Sequence, residues 1–386
     1  MTITITETPK VRYYESDSNP GLSGEGAQIP IFIGLTGNTS PTVGIQKFKS
    51  YAAAERTITN GGIGTDPATN PLLAVLKDFF TEGRKNEAED IGIPYVYVID
   101  LGNIGVTETA DVKKWTDAME IAKAKREITA EVYVGFKATD DKAKVISILT
   151  SALDSIKDDN EYGNPRIAYT TFIGATDAQL MAYTDDEQDN YIQNTRLGLC
   201  EPKYFGRILA KIMTTPYYEE PGYTDFRSIS PGEFNNRTPT IENNMQDAGI
   251  IFIKDELAGS EIHPRINLAV STAFAAGQDA RPNDCLLHAR RNVDQLIREV
   301  YVALYKQIKR NETETNIIYC QTDVDVIVNK FLDAGHMMEG TAINVIESNA
   351  NPYRLIADGV SVPVNSTLFI GFSMYIEAPN AISGGN

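Results

Sequence analysis

Apolar and polar positions along this chain fall into two periods. Thr2 to Thr6 alternates threonine with isoleucine, which predicts a short strand with one apolar face. A stretch rich in Ser, Asn, Gly and Pro runs from Ser16 to Gln28 and holds that strand apart from the rest of the chain. So short a strand forms no stable sheet alone, so it must dock on its own chain's body or on another subunit. From Ile29 onward strand and helix patterns alternate. Ile29 to Leu35 is a short apolar strand, and Tyr51 to Ile58 reads as helical. Asn70-Pro71 starts a helix, because proline at the first helical position gives up no needed donor. Leu72, Leu73, Leu76, Phe79 and Phe80 then recur at helical spacing, and Gly83 closes the run. Tyr95 to Leu101 is almost continuously apolar, as a strand covered on both faces requires. Val112, Trp115, Met119 and Ala122 stripe the next helix, Ala130 to Phe136 is a strand, Ile146, Leu149, Leu153 and Ile156 stripe another helix, and Arg166 to Ile173 is another strand. This alternation predicts an α/β body.

The last third has an α+β character. Val293, Leu296, Ile297, Val300, Tyr301, Leu304 and Ile308 mark a long amphipathic helix, with Arg290, Arg291, Arg298, Lys306, Lys309 and Arg310 on its other face. A second helix is expected from about Asp323 to Ala334, with Val324, Ile327, Val328 and Phe331 inward. Val360 to Val364 and Leu368 to Ile376 read as strands, and in the latter Leu368, Ile370, Phe372, Met374 and Ile376 share one face. The expected organisation is an arm and linker over 1–28, an α/β body over 29–265, a C-terminal helical and β domain over 266–365, and a strand arm with a polar tail over 366–386.

Charge narrows the partners. The formal net charge is −17, which repels phosphate backbones and anionic lipid head groups, so neither nucleic acid nor membrane is an expected partner. Cys200, Cys285 and Cys320 are far apart and form no metal or redox spacing; they read as buried, reduced thiols. The start, Met1-Thr-Ile-Thr-Ile-Thr-Glu, lacks a basic n-region, and no stretch approaches the roughly 18 apolar residues of a membrane span. A soluble protein made in the cytoplasm is expected.

The motifs that could carry chemistry are each incomplete. Gly34-Leu-Thr-Gly37 follows a strand but lacks the third glycine and the immediate helix of a dinucleotide fingerprint. Asn60-Gly61-Gly62-Ile63-Gly64 follows a helical rather than an extended segment, and no P-loop sequence occurs. Gly21-Leu-Ser-Gly-Glu25 lacks the last glycine of a nucleophile elbow. His336-Met-Met-Glu339 has ligand-like spacing without a second histidine nearby, and His263 and His288 read, like it, as satisfied surface or capping residues. Asp140-Asp141, Asp158-Asp159 and Asp185-Asp186-Glu187 read as helix-start and loop acids. Asp323-Val-Asp325 lacks the glycine and distal glutamate of a calcium loop. No catalytic residue, cofactor or metal is expected.

Several passages together resemble the tail sheath proteins of contractile phages, R-type bacteriocins and related injection systems. They are Phe48-Lys-Ser-Tyr51, Asn60-Gly-Gly62 and Asn70-Pro-Leu72 running into Phe79-Phe80 and the strand Tyr95-Val-Tyr-Val-Ile99; then Phe205-Gly-Arg-Ile-Leu-Ala210, the crossing from Pro216 to Ile229, and Asp247-Ala-Gly-Ile250; then Arg265-Ile-Asn-Leu268 with the helix from Arg290-Arg291; and lastly Gly359-Val-Ser-Val-Pro-Val364. Thr-Glu-Gly83 and a charged stretch stand where that family tends to have an Asn-Gly-Gly turn. The stretch from about 106 to 195 matches no family passage and corresponds to a variable, outward part. The resemblance implies a structural, non-enzymatic subunit of a virion tail or injection particle, polymerised as stacked hexameric rings around an inner tail tube. Its partners would be itself, the tube protein, and baseplate and tail terminator proteins. Contraction would drive the tube through a target envelope. The matching strand arms are Thr2, Ile3, Thr4, Ile5 and Thr6 at one end and Leu368 to Ile376 at the other. A chain this acidic needs a local basic face to grip an acidic tube, and Lys306, Lys309, Arg310 and Lys330 are the candidates. The alternatives are another ring-forming tail or baseplate component and a soluble α/β enzyme of unknown substrate.

Overall fold

The computed structural model describes residues 28–38, 41, 44–59, 69–83, 94–106, 109–161, 164–223, 225–233, 237–258, 261–276, 285–305, 314–347 and 355–363. In chain order the elements are β1 (Pro30–Gly34), β2 (Gln46–Phe48), α1 (Tyr51–Ile58), α2 (Pro71–Glu82), β3 (Val96–Asp100), α3 (Thr109–Ala122), β4 (Ala130–Val134), α4 (Lys142–Glu161), β5 (Ile167–Thr170), α5 (Asp177–Met181), β6 (Leu197–Cys200), α6 (Phe205–Thr214), α7 (Pro239–Asp247), β7 (Ile250–Ile251), β8 (Ile253–Ala258), β9 (Glu261–Ile266), α8 (Leu287–Tyr305), α9 (Glu314–Asp333), β10 (Ala342–Glu347) and β11 (Leu355–Val360).

β1 to β7 form one seven-stranded sheet in the order β2-β3-β1-β4-β5-β6-β7. All its pairings are parallel except that of β2 with β3. A parallel sheet is covered on both faces by its crossover helices, so its strands must be apolar throughout. β1, β3 and β4 are accordingly buried at every position. Alternate residues divide between two cores. Phe32, Val98, Val132 and Tyr169 face α1, α2 and α6, while Ile31, Ile99, Tyr133 and Ala168 face α3 and α4. The fold is an α/β sandwich of three layers, as the alternating pattern predicts.

The expected start of α2 has a local cause. Asn70 caps α2, its side chain accepting from Leu73 N–H at 3.0 Å, and Pro71 occupies the first turn. Gly206 lets α6 lie against α2: a Cβ there would sit 2.3 Å from the Val75 carbonyl oxygen. Phe79 meets Phe32 edge to face at 5.0 Å. Between β4 and β5, the Arg166 guanidinium is fully buried against Glu131 at 2.7 Å and also donates to the Ala122 and Lys125 carbonyls where α3 ends. Residues 106–195 therefore contribute β4 and β5, inside the sheet, and two of its covering helices.

Four expectations need correction besides those for the α8 arginines, and His288 at the first turn of α8 is among them. The expected strand Val360 to Val364 is instead β11, which ends at Val360; Pro363 has no N–H to continue a ladder and makes only an isolated bridge to Met337. The second C-terminal helix begins at Glu314 rather than about Asp323, because its first turns leave Ile318 and Tyr319 in solvent and show no inward stripe. Asp158-Asp159 lies in the closing turns of α4, not at a helix start. His288 is buried rather than on the surface, its Nδ1 lying 2.8 Å from Glu220 Oε2. The three cysteines are buried and unbridged.

Candidate assembly surface

α8 meets the sheet body through charge as much as through apolar contact. The sequence pattern puts Arg291 and Arg298 on a solvated face, and the structure overturns this. Arg291 is buried, and Arg298 donates to the carbonyls of Arg126 at 3.1 Å, Ile128 at 2.9 Å and Pro165. Asp294, one turn from Arg291 on the same helix, receives both terminal nitrogens of Arg196 at 3.0 Å. Such charge-assisted, bidentate pairs fix geometry as well as adding attraction. No apolar stripe reveals them, because their partners come from distant parts of the chain.

Outside α8, α9 packs Val324, Val328 and Phe331 against Leu296 and Val300. β10 lies on α9 and pairs antiparallel with β11, from Ala342↔Val360 to Glu347↔Leu355. The Gln321 side chain of α9 takes the outer edge of β10, accepting from Val345 N–H at 2.8 Å and donating to the Ile343 carbonyl at 2.9 Å. Val345 therefore points its backbone groups away from β11, and by antiparallel geometry its partner Ala357, like Gly359 opposite Ile343, points outward on the far side. Among the described residues no further strand pairs with that edge of β11. Gly359 also fixes the hairpin's closeness, since a Cβ there would fall 2.1 Å from the Ala342 carbonyl oxygen.

Large apolar side chains are exposed on β10, β11 and α9. Val360 is 63% exposed and Ile346 46%, and on α9 Tyr319 and Val326 are exposed as well. Single exposed apolar side chains are ordinary, but an open strand edge with an exposed valine at its end is a candidate interaction surface. Lys330, the one tube-facing candidate among the described residues, bonds Glu299 at 2.8 Å and is exposed, as are Asp325 and Asp333 on the same helix. Lys306, Lys309 and Arg310 lie outside the described residues, as do Thr2 to Thr6 and Leu368 to Ile376.

A nucleotide on a doubly wound sheet would sit at the carboxyl ends of β1 and β4, where the strand order reverses. Here Leu35 fills that crevice. Its N–H donates to the Val134 carbonyl at 3.0 Å, and its carbonyl accepts from Leu72 at 3.1 Å. Gly135, at φ 121°, packs so close that a Cβ would meet the Leu35 side chain at 2.7 Å. Beside it Thr36 donates to Asp100 at 2.7 Å. Burial raises the Asp100 pKa, against the pull of hydrogen bonds from Thr36 and Gly102. The histidines are held in structural contacts: His263 with Asp225 at 2.6 Å, and His336 stacked on Tyr218 at 4.2 Å. Among the described residues no group of three or more His, Cys, Asp or Glu side chains is placed to hold a metal ion.

No family model matches the chain, and no curated protein matches it in sequence. Solved structures do match, almost from end to end. Against the contracted helical sheath of the anti-feeding prophage the TM-score is 0.62 at 13% identity, covering 96% of this chain and 99% of that one. Against a chain of the 6-fold symmetrised baseplate of the same prophage it is 0.64 at 13% identity, covering 97% and 100%. Against the sheath tail protein of Listeria innocua it is 0.58 at 9% identity, covering 89% and 94%. The class these matches define is the fold of contractile-tail sheath proteins. This chain has that fold over nearly all of its length.

Proposed function

We propose that the protein is a structural subunit of a contractile injection particle, polymerising as a sheath around an inner tail tube. The observation that carries the reading is the fold likeness over 96% of this chain and 99% of the anti-feeding prophage sheath protein. A likeness confined to the sheet would support only an α/β body, whereas this one includes the α8–β11 region.

In this reading the open edge of β11 accepts a strand from a neighbouring copy. Thr2 to Thr6 and Leu368 to Ile376 are the strands available to donate. Net backbone hydrogen bonds contribute about 0.5–1.5 kcal/mol each, so an arm forming roughly four to six adds only a few kcal/mol per joint. Summed over a long polymer this is ample, while each joint stays weak enough to shift. Contraction is then a rigid-body repacking of subunits about their linkers, driven by release from a trapped extended assembly and needing no nucleotide. The inner tube, the baseplate and a tail terminator are the heterologous partners this implies. The likeness to a baseplate chain favours one second reading, a ring-forming baseplate component with the same strand exchange.

Electron microscopy of the purified full-length chain tests the proposal. Tubes or stacked rings are expected, single rings alone point to the baseplate reading, and uniformly small particles contradict both.

A further inference from the structure

Where α8 crosses the amino-terminal ends of β1, β4 and β5, a cavity of about 40 Å³ lies between Gln28, Thr129, Ile167, Arg291 and Asp294. By the usual measure this is room for roughly three water-sized guests, or for one compact ion with its hydration. Its wall holds a guanidinium with unfilled hydrogen-bonding capacity. Arg291 is 2% exposed, and its guanidinium makes one hydrogen bond, to the Thr215 carbonyl, while Nε and Nη1 have none. The buried Tyr169 hydroxyl, on which the Arg291 charge acts, is also unpartnered, as is Gln28 Oε1.

Two of the neighbouring carboxylates are shared with other groups. Asp294 is held by both terminal nitrogens of Arg196, and Glu220 by His288. Burial lowers the Arg291 pKa to about 10, against the pull of Tyr169, Glu220 and Glu219, so the group is still a cation at neutral pH. A buried cation whose carboxylates are shared with other groups is only partly compensated, and unpaired buried N–H groups add to the cost. The orphaned groups of the lining residues are two guanidinium nitrogens, both donors, and the Gln28 amide, which can turn its NH₂ the same way. Water alone would satisfy hydrogen bonds but would add no charge to the partial compensation from Glu220 and Glu219.

We propose that this cavity binds one small monovalent anion, of chloride or formate size, on the Arg291 guanidinium. The ion would bridge α8 to the strand ends of the sheet, and so tie the α8–β11 region to the body.

Thermal unfolding of the full-length protein, with sodium gluconate exchanged for sodium chloride or formate at constant ionic strength, reads the site. The midpoint should rise saturably by at least about 2 °C, and Arg291→Met should abolish the dependence. A midpoint indifferent to the anion, or an equal rise in the variant, overturns the proposal. Should Arg291→Met fail to fold, wild-type crystals soaked in bromide decide the matter. An anomalous peak beside Arg291 supports the site, and water alone there refutes it.

Discussion

In the sheet body, β1, β3 and β4 are covered on both sides, and among the described residues the large apolar side chains that are mainly exposed are Tyr191, Ile241 and Ile262. In the α8–β11 region they are Val302, Ile318, Tyr319, Val326, Met338, Ile346 and Val360, although that region is far smaller. Its own core, built on Leu296, Val300, Val324, Val328 and Phe331, is correspondingly slight. The body satisfies its apolar surface by itself. The α8–β11 region leaves surface and a strand edge over, as expected of a part completed by other copies. Stability and assembly should therefore be separable by mutation, and the first resides in the body.

The largest effects should come from breaking the body. Arg166→Leu strands the Glu131 carboxylate inside the sheet and should cost about 3–5 kcal/mol in denaturant unfolding. Phe79→Ala, which empties the contact with Phe32, should cost a similar amount, about 3–5 kcal/mol. Either variant should lose assembly only through loss of the folded subunit. Gly359→Val should be milder for the fold and decisive for the polymer. Its side chain cannot fit against the Ala342 carbonyl, so β10 and β11 separate, with little change in body stability and no long sheaths on electron micrographs. Val326→Asp should change unfolding by no more than about 0.5 kcal/mol yet reduce polymer mass in sedimentation.

The smallest effect concerns pH and the β8–β9 hairpin. Burial pushes Asp225 up, but hydrogen bonds from Arg265 and His263 outweigh it and hold its carboxyl below the usual range. A carboxylate with a depressed folded pKa stabilises fully above its unfolded value of about 3.9, and that contribution is lost as pH falls through the lower folded value. Amide exchange in β8 and β9 should thus quicken, beyond the intrinsic pH trend, only below about pH 4. Asp225→Asn should remove that step.

Legibility in the sequence divides along the same line. The strands of the doubly covered sheet are near-continuous apolar runs, and Asn70-Pro71 and the stripe through Phe79 mark α2, so most of the body is readable from period alone. β6 escapes notice because Leu197-Gly-Leu-Cys200 is too short to show a period. The β8–β9 hairpin escapes because Ile253–Ala258 and Glu261–Ile266 carry as many charged as apolar residues. Arg291 and Arg298 are misread for a physical reason: a helical charge is normally solvated, and only tertiary contacts can show that these are buried or bound to carbonyls. The open edge of β11 is likewise invisible, since Gln321, which occupies the edge of β10, is separated from it by a helix and a turn.

Strand donation between copies is the central claim, and deleting Met1 to Thr6 tests it most directly. Sedimentation velocity and circular dichroism on the full chain and the deletion, side by side, give the answer. The account predicts long polymers for the full chain and small species of unchanged circular dichroism for the deletion, with Ile3→Pro or Ile5→Pro giving the same result more mildly. Polymers of equal length from both chains would contradict it, because the first strand would then serve its own body and not a neighbour.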